Sequence, residues 1–184
     1  ASAGEIDWFM NGMGRIFPEA HERFASFLPA DERGDLLAGY HRRLTDPDPA
    51  IRERAVEFVS GIARRAGEFG AATIIGSMQG RIDPSTPRCD GMGWLADSIA
   101  KIARTAASAG SLLLLEPLNR YETNVLTSVI EAADLLRQWN IANVKLLCDL
   151  FHMNIEEPDL GQSLRKADAL VGHVHFADSN RRAV

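Results

Sequence analysis

Three nearly continuous apolar runs, each followed at once by a polar side chain, constrain the fold of this chain most strongly. The run "SLLLL" leads into Glu116, "VKLLC" leads into Asp149, and "ALVGHV" leads into His175. Apolar runs separated by helical patterns are typical of parallel strands that are buried on both faces. A charge at the end of a buried strand is costly unless a partner or a metal receives it. The three runs therefore predict a parallel sheet with a polar site along one edge.

Helical and strand patterns alternate from residue 50 onwards. Strands are predicted within 71–80, 111–117, 144–151 and 169–177, and helices over 50–70, 94–110, 128–140 and 158–167. This order indicates an α/β fold, either a doubly wound sheet or a (β/α) barrel, and both place their active groups at the C-terminal ends of strands. No GxGxxG pattern follows a strand, which argues against a dinucleotide site.

Residues 1–49 show helical patterns only, and the punctuating sequence "TDPDP" closes this stretch. We therefore expect two regions: a helical segment over 1–49 and an α/β region over 50–184. The α/β region is expected to contain about four parallel strands with covering helices.

Composition and charge exclude several classes of partner. The net charge of −5 offers no basic surface for nucleic acid or for an anionic membrane. No apolar run approaches the roughly 20 residues of a membrane span, and the chain does not open with a signal-peptide pattern. The two cysteines, Cys89 and Cys148, lie in no CxxC pattern, so we expect free thiols. A cytoplasmic location is the expectation.

The polar residues at the strand ends form a plausible ligand set for a metal. Because neighbouring parallel strands end at the same edge, Glu116, Asp149 and His175 are expected to lie close together. Two carboxylates and an imidazole form an oxygen-rich ligand set. Such a set is better suited to Mn²⁺, Mg²⁺ or Co²⁺ than to a zinc site of the thiolate type. The neighbouring His173 is expected to pack inside the fold rather than to act as a ligand. The sequence thus predicts a divalent metal site at the sheet edge.

Three motifs carry a resemblance to a known family. "EPLNRYE", "DLFHMNIEE" and "HVHFADSNR" resemble the sugar isomerase/epimerase TIM-barrel family, in particular its ketose 3-epimerase branch. The similarity extends over about residues 52–184 and includes "IIGSMQGR". The spacings of 33 residues (149 − 116) and 26 residues (175 − 149) agree with the family's pattern. The resemblance implies a (β/α) barrel, of which this sequence contains about four of eight strands.

The resemblance also implies residue roles. Glu116, Asp149 and His175 would bind the divalent metal, and Glu116 would double as an acid/base. Glu122, His152 and Arg181 would contact the hydroxyls or the carbonyl oxygen of a ketose. A metal and a carboxylate suit the chemistry, because deprotonation beside a carbonyl needs an electrophile and a base.

The resemblance leaves the family's second base and about half of its eight barrel strands unmatched. The family's second base is a metal-binding glutamate on a later strand that this sequence does not include. We therefore expect weak metal binding with one ligand missing, and absent or very slow epimerisation. A half-barrel also has open strand edges, which favour pairing with another chain. A homo-oligomer, most simply a dimer, is the expectation.

Residues 1–49 resemble a different family, the helical cap region of prolyl aminopeptidases, which are α/β-hydrolases. No GxSxG-like nucleophile elbow occurs anywhere in the sequence, so a peptidase activity is the least favoured function. The two resemblances together suggest a chimera joined near residues 49–55. Two interpretations stay open: a metal-dependent ketose epimerase, intact or assembled from two chains, and a catalytically silent chimera.

Overall fold

The structure, a computed structural model, describes residues 43–177. The chain divides into two compact units, Ala1–His41 and Arg42–Val184, and the described residues belong to the second. The predictions made for residues 1–42 and 178–184 lie outside the described residues. These include the N-terminal helices and the substrate contact expected of Arg181.

The described residues form a parallel sheet with helices between its strands. The strands are β1 (Thr73–Ile75), β2 (Leu113–Leu115), β3 (Val144–Asp149) and β4 (Val171–His175). The helices are α1 (Pro49–Glu68), α2 (Arg88–Ala109), α3 (Val129–Trp139), α4 (Leu150–Glu156) and α5 (Leu160–Ala167), with 3₁₀ turns at Ser77–Gln79 and Asp168–Leu170. The strand order is β1-β2-β3-β4, and every neighbouring pair is parallel. The predicted half-barrel of four strands is confirmed.

Capping residues explain where the helices begin and end. The Asp48 side chain accepts a hydrogen bond from the Ala50 N–H, and Pro49 occupies the first position of α1, where its missing N–H costs nothing. The Ser128 hydroxyl accepts from two N–H groups of the first turn of α3. Gly110 ends α2 with a φ of 76°, a left-handed conformation in which glycine is unstrained.

Two elements differ from the sequence prediction. Helix α2 begins at Arg88, six residues before the predicted start at 94, because Gly91 lets the helix lie against Ile82: a Cβ there would come within 2.6 Å of Ile82. Helix α4 was not predicted at all. Strand β3 ends at Asp149 rather than continuing to Phe151, because the Asp149 side chain caps α4 directly at the strand end.

The two faces of the sheet have different surroundings. Helices cover one face, where Ile75, Leu115 and Leu146 are fully buried in one continuous apolar core. On the other face Lys145 is exposed and Ile74 is 45% exposed. Side chains alternate between the faces along a strand. Glu116, Asp149 and His175 each follow a residue of the helix-covered face, so all three lie on the opposite face.

The two cysteines agree with the expectation of free thiols. Cys89 is exposed and Cys148 is buried, and both are free. Burial, and secondly the negative charge of Glu157, raises the pKa of the Cys148 thiol to about 11. Among residues 43–177 no helix combines the length and the apolar character that crossing a membrane requires.

Candidate metal centre

Three strands bring acidic and imidazole side chains together at their C-terminal ends. His175 Nδ1 lies 3.5 Å from Asp149 Oδ2 and 4.0 Å from Glu116 Oε1. His152, on α4, approaches from the other side, with Nε2 also 4.0 Å from Glu116 Oε1. Asp149 and His175 are direct partners in the β3–β4 register, so the sheet itself sets their separation. The edge therefore gathers two carboxylates and two imidazoles.

Asp149 divides its two carboxylate oxygens between two tasks. Oδ1 accepts hydrogen bonds from the N–H groups of Phe151, at 2.8 Å, and His152, at 3.4 Å, and so caps helix α4. Oδ2 faces His175. Because the cap holds the side chain in one rotamer, the second oxygen has a defined position at the site.

Glu116 owes its position to a glycine directly after the neighbouring strand β1. Glu116 Oε2 lies where a side chain on Gly76 would be, since a Cβ at Gly76 would come within 2.8 Å of it. Oε1 faces both histidines. The side chain is only 13% exposed. Sequence reasoning did not single out Gly76, although its position directly after β1 was a usable signal.

A network around Asn119 orders the rim of the site. Asn119 Nδ2 lies 2.9 Å from Glu122 Oε1 and 2.8 Å from His152 Nδ1, and the Asn119 N–H donates to the same imidazole nitrogen at 3.2 Å. Glu122 Oε1 lies 3.8 Å from His152 Nδ1. Asn119 is 2% exposed. The sequence analysis missed this residue, because an asparagine in a loop carries no signal of its own.

An ion pair ties the loop after β2 to helix α4. The Arg120 N–H and guanidinium donate to Glu156, at 2.7 Å and 2.9 Å, and the Glu156 side chain is only 7% exposed. Burial raises the pKa of Glu156, but the hydrogen bonds and the charge of Arg120 together lower it below its ordinary value. The loop that carries Asn119 and Glu122 is thus held against the helix that carries His152.

The donor set fits a divalent cation. One ligand atom each from Glu116, Asp149 and His152 lies within 4.8 Å of the others. His175 contacts both carboxylates as well, at the distances given above. Ligands at about 2.1 Å from an octahedral ion lie about 3–4 Å apart. Carboxylate oxygens with imidazole suit Mn²⁺, Mg²⁺ or Co²⁺. The three-residue group therefore forms a possible metal site.

Most of the predicted site residues meet in this one cluster. Glu116, Glu122, Asp149, His152 and His175 all lie at the same strand ends, while Arg181 lies outside the described residues. We expected His173 to pack inside the fold, and this prediction is wrong, because the His173 side chain is exposed. Its ring meets the ring of His175 edge to face, with centroids 5.2 Å apart.

Several curated relatives share the sequence pattern. The chain is 34% identical to D-psicose 3-epimerase of Ruminiclostridium cellulolyticum over 146 residues, which is 77% of this chain and 50% of that protein. It is 31% identical to L-ribulose 3-epimerase of Mesorhizobium japonicum, covering 75% of this chain and 47% of that protein. The chain thus spans about half the length of the curated relatives it matches.

A different relative matches a shorter part of the chain. A probable proline iminopeptidase of Streptomyces coelicolor is 56% identical over 74 residues, which is 40% of this chain and 21% of that protein. The resemblance to prolyl aminopeptidases is therefore confirmed as a likeness of one segment.

Solved structures share the fold of the described region. Crystal structures of D-psicose 3-epimerase with D-tagatose from Clostridium cellulolyticum H10 superpose with a TM-score of 0.69 at 31% identity, covering 77% of this chain and 50% of that one. A structure of L-ribulose 3-epimerase gives a TM-score of 0.70 at 32% identity, covering 76% and 48%. The family model for the xylose isomerase-like TIM barrel matches residues 30–183. The chain therefore belongs to the xylose isomerase-like TIM-barrel family.

Proposed function

We propose that this chain carries a divalent-metal and ketose site of the 3-epimerase type. The observation that supports it best is the meeting of Glu116, Asp149 and His175 at the ends of three adjacent parallel strands. The relatives named D-psicose and L-ribulose 3-epimerase favour a ketose as the substrate class. We propose the three residues as the metal ligands and Mn²⁺, Mg²⁺ or Co²⁺ as the ion.

The side chains suggest how such a site would work. The bound cation would supply a Lewis acid that polarises the ketose carbonyl. Glu116 is the proposed base, because Oε1 faces the two histidines of the site while Oε2 is held against Gly76. It would accept the proton from the carbon beside the carbonyl. We assign Glu122 and His152, together with Arg181, to the substrate's oxygen atoms.

The likeness to a proline iminopeptidase favours a second candidate, a catalytically silent chimera that keeps the metal site.

Asp149 uses one oxygen for the α4 cap and turns the other to His175, so Glu116 is the carboxylate we assign to proton transfer. Inverting a carbon needs a base on each of its faces, and general acid–base groups contribute roughly 10²–10⁴-fold each. We therefore propose that epimerisation by this chain is absent or very slow. A peptidase function is the least favoured, because the sequence contains no GxSxG nucleophile motif.

Calorimetry with Mn²⁺ tests the metal site. Asp149→Ala should abolish the binding heat seen with the unmodified chain. Asp159→Ala is the matched control, because Asp159 also caps a helix, α5, through the Gln162 N–H. Identical traces for the unmodified chain and Asp149→Ala would contradict the proposal.

Incubation with D-fructose or D-tagatose and Mn²⁺ separates the two candidates. Slow epimerisation that Glu116→Gln abolishes supports the epimerase. Metal binding without any turnover supports the silent chimera. Turnover that Glu116→Gln leaves unchanged would contradict the role of Glu116 in both.

Assembly is the remaining part of the proposal. Strands β1 and β4 form the edges of the described sheet, and unpaired edges favour pairing with another chain. We propose a dimer that covers the sheet face carrying Ile74 and Lys145, or that joins edges. Stable interfaces of this kind bury more than about 2,000 Å². Light scattering that returns 20.2 kDa, the mass of one chain, at high protein concentration would contradict the dimer.

A further inference from the structure

The hydrogen bonds of Asn119 determine which nitrogen of His152 carries a proton. Asn119 is buried in the loop after β2, and His152 is 4% exposed on α4. Asn119 approaches Nδ1 of His152 with two groups, its backbone N–H at 3.2 Å and its side-chain amide at 2.8 Å. A backbone N–H can only donate a hydrogen bond, so Nδ1 must accept it with a lone pair and cannot carry a proton.

The orientation of the Asn119 amide follows from a second backbone group. The Tyr121 N–H donates to Asn119 Oδ1 at 3.0 Å, so this atom is the amide oxygen. The nitrogen Nδ2 then points to Glu122 Oε1 and to His152 Nδ1, and it donates one hydrogen to each. All three contacts agree with one amide orientation, and the opposite orientation would place oxygen against the Glu122 carboxylate.

A neutral imidazole has one N–H and one lone pair. Since Nδ1 uses its lone pair toward Asn119, the proton lies on Nε2, which is the atom 4.0 Å from Glu116 Oε1. A protonated Nε2 donates a hydrogen bond and has no lone pair for a metal. By distance alone His152 could ligate a metal together with Glu116 and Asp149, but with the proton on Nε2 it is a hydrogen-bond donor.

We propose that Asn119 is a positioning residue that fixes His152 as the Nε2–H tautomer. His152 then presents a hydrogen-bond donor on the side of Glu116, and His175 is left as the imidazole that ligates. The donor would meet a carbonyl or hydroxyl oxygen of the substrate, a step that rests on the proposed function. The tautomer itself does not depend on that function, because it follows from protein contacts alone.

Long-range ¹H–¹⁵N correlation spectra of the ¹⁵N-labelled chain, recorded without metal or sugar, test the proposal. His152→Gln assigns the His152 signals among the five histidines. The expected spectrum shows a protonated Nε2 and an unprotonated Nδ1. In Asn119→Asp the side chain loses its N–H and places a charged acceptor at the shorter of the two contacts, 2.8 Å against 3.2 Å for the retained backbone N–H, so Nδ1 should become protonated. Asn124→Asp is the matched control, since Asn124 lies in the same loop and its amide bonds Ile82; its spectrum should stay unchanged.

A protonated Nδ1 in the unmodified chain would overturn the proposal, and so would a folded Asn119→Asp protein with an unchanged spectrum. Circular dichroism reports whether that variant folds. If it does not fold, Asn119→Ala replaces it: this variant removes the side-chain donor and keeps the backbone N–H. A measurable population of the Nδ1–H tautomer is then expected, and a spectrum identical to that of the unmodified chain would reject the role of the side chain. Failure of the ketose activity would leave these outcomes unaffected.

Discussion

The helix-covered face of the sheet and the C-terminal ends of the same strands are built on opposite principles. On the covered face, Leu115, Leu146 and Cys148 are fully buried and contact other apolar side chains. At the strand ends, Glu116 and Asp149 follow directly along the chain, and their oxygens face histidines. One residue of strand separates the two environments, because successive side chains point to opposite faces.

The two regions are sensitive to different kinds of substitution. The core depends on volume, since closely packed apolar side chains leave little room for change. The site depends on individual atoms: one oxygen of Asp149 caps a helix, one oxygen of Glu116 requires a glycine, and one nitrogen of His152 accepts from Asn119. Within the described residues, no buried side-chain nitrogen or oxygen lacks a hydrogen-bond partner. Changes on the covered face should alter stability, and changes at the strand ends should alter binding.

The largest expected effect is on the covered face. Leu146→Ala removes a fully buried side chain from the core and should lower the free energy of unfolding by about 2–5 kcal/mol. Lys145→Ala, one residue away on the opposite face and with an exposed side chain, should change it by no more than about 0.5 kcal/mol. Urea denaturation measures both. Equal losses would show that the two faces do not differ as described.

Asp149→Asn separates the two tasks of one side chain. Asparagine caps helices about as well as aspartate, so stability should change little. The lost carboxylate charge should weaken Mn²⁺ binding by about 100-fold or more, since even indirect partners of a metal contribute about 10–100-fold. Calorimetry and urea denaturation of the same sample check the two expectations. A large loss of stability with unchanged Mn²⁺ affinity would reverse our assignment.

Gly76→Ala should disturb the site through Glu116. The added Cβ would displace Oε2, which lies 2.8 Å from that position, and should reduce Mn²⁺ affinity about 10-fold or more. Gly93→Ala is the control, because a Cβ at Gly93 meets nothing within 4 Å and alanine favours the helix. It should bind Mn²⁺ normally. If both variants keep full affinity, Glu116 does not need the space that glycine leaves.

The smallest effect is a dependence of stability on pH that comes from the covered face. The folded-state pKa of Cys148, about 11, lies above the ordinary value of 9.0. The stabilisation that this gives is fully present below pH 9 and is lost as the pH rises toward 11. At pH 10 the loss should be roughly 1 kcal/mol. Urea denaturation at pH 8 and 10 should show a smaller decrease for Cys148→Ala than for the unmodified chain; equal decreases would contradict the raised pKa.

The sequence alone was enough to predict the four strands, the helices between them apart from α4, and the polar residues at the strand ends. Apolar runs such as "LLLL" before Glu116 indicate buried strands, and parallel neighbours must end at one edge. Helix caps such as Ser128 are local, so the sequence shows them directly. The motifs around Glu116, Asp149 and His175 also carried the family resemblance. These features depend on short stretches of chain, which is why they could be predicted.

The tertiary structure decided what depends on contacts between distant stretches. The early start of α2 needs Gly91 to meet Ile82, and the position of Glu116 needs Gly76 at the end of another strand. Nothing in the motif "EPLNRYE" distinguishes Asn119 from an ordinary loop residue, and its role appears only when His152, 33 residues later, lies 2.8 Å away. The sequence by itself predicted the four parallel strands and the polar residues that follow them, Glu116, Asp149 and His175. The folded chain determined their geometry and the proton on His152, because both depend on atoms that only folding brings together.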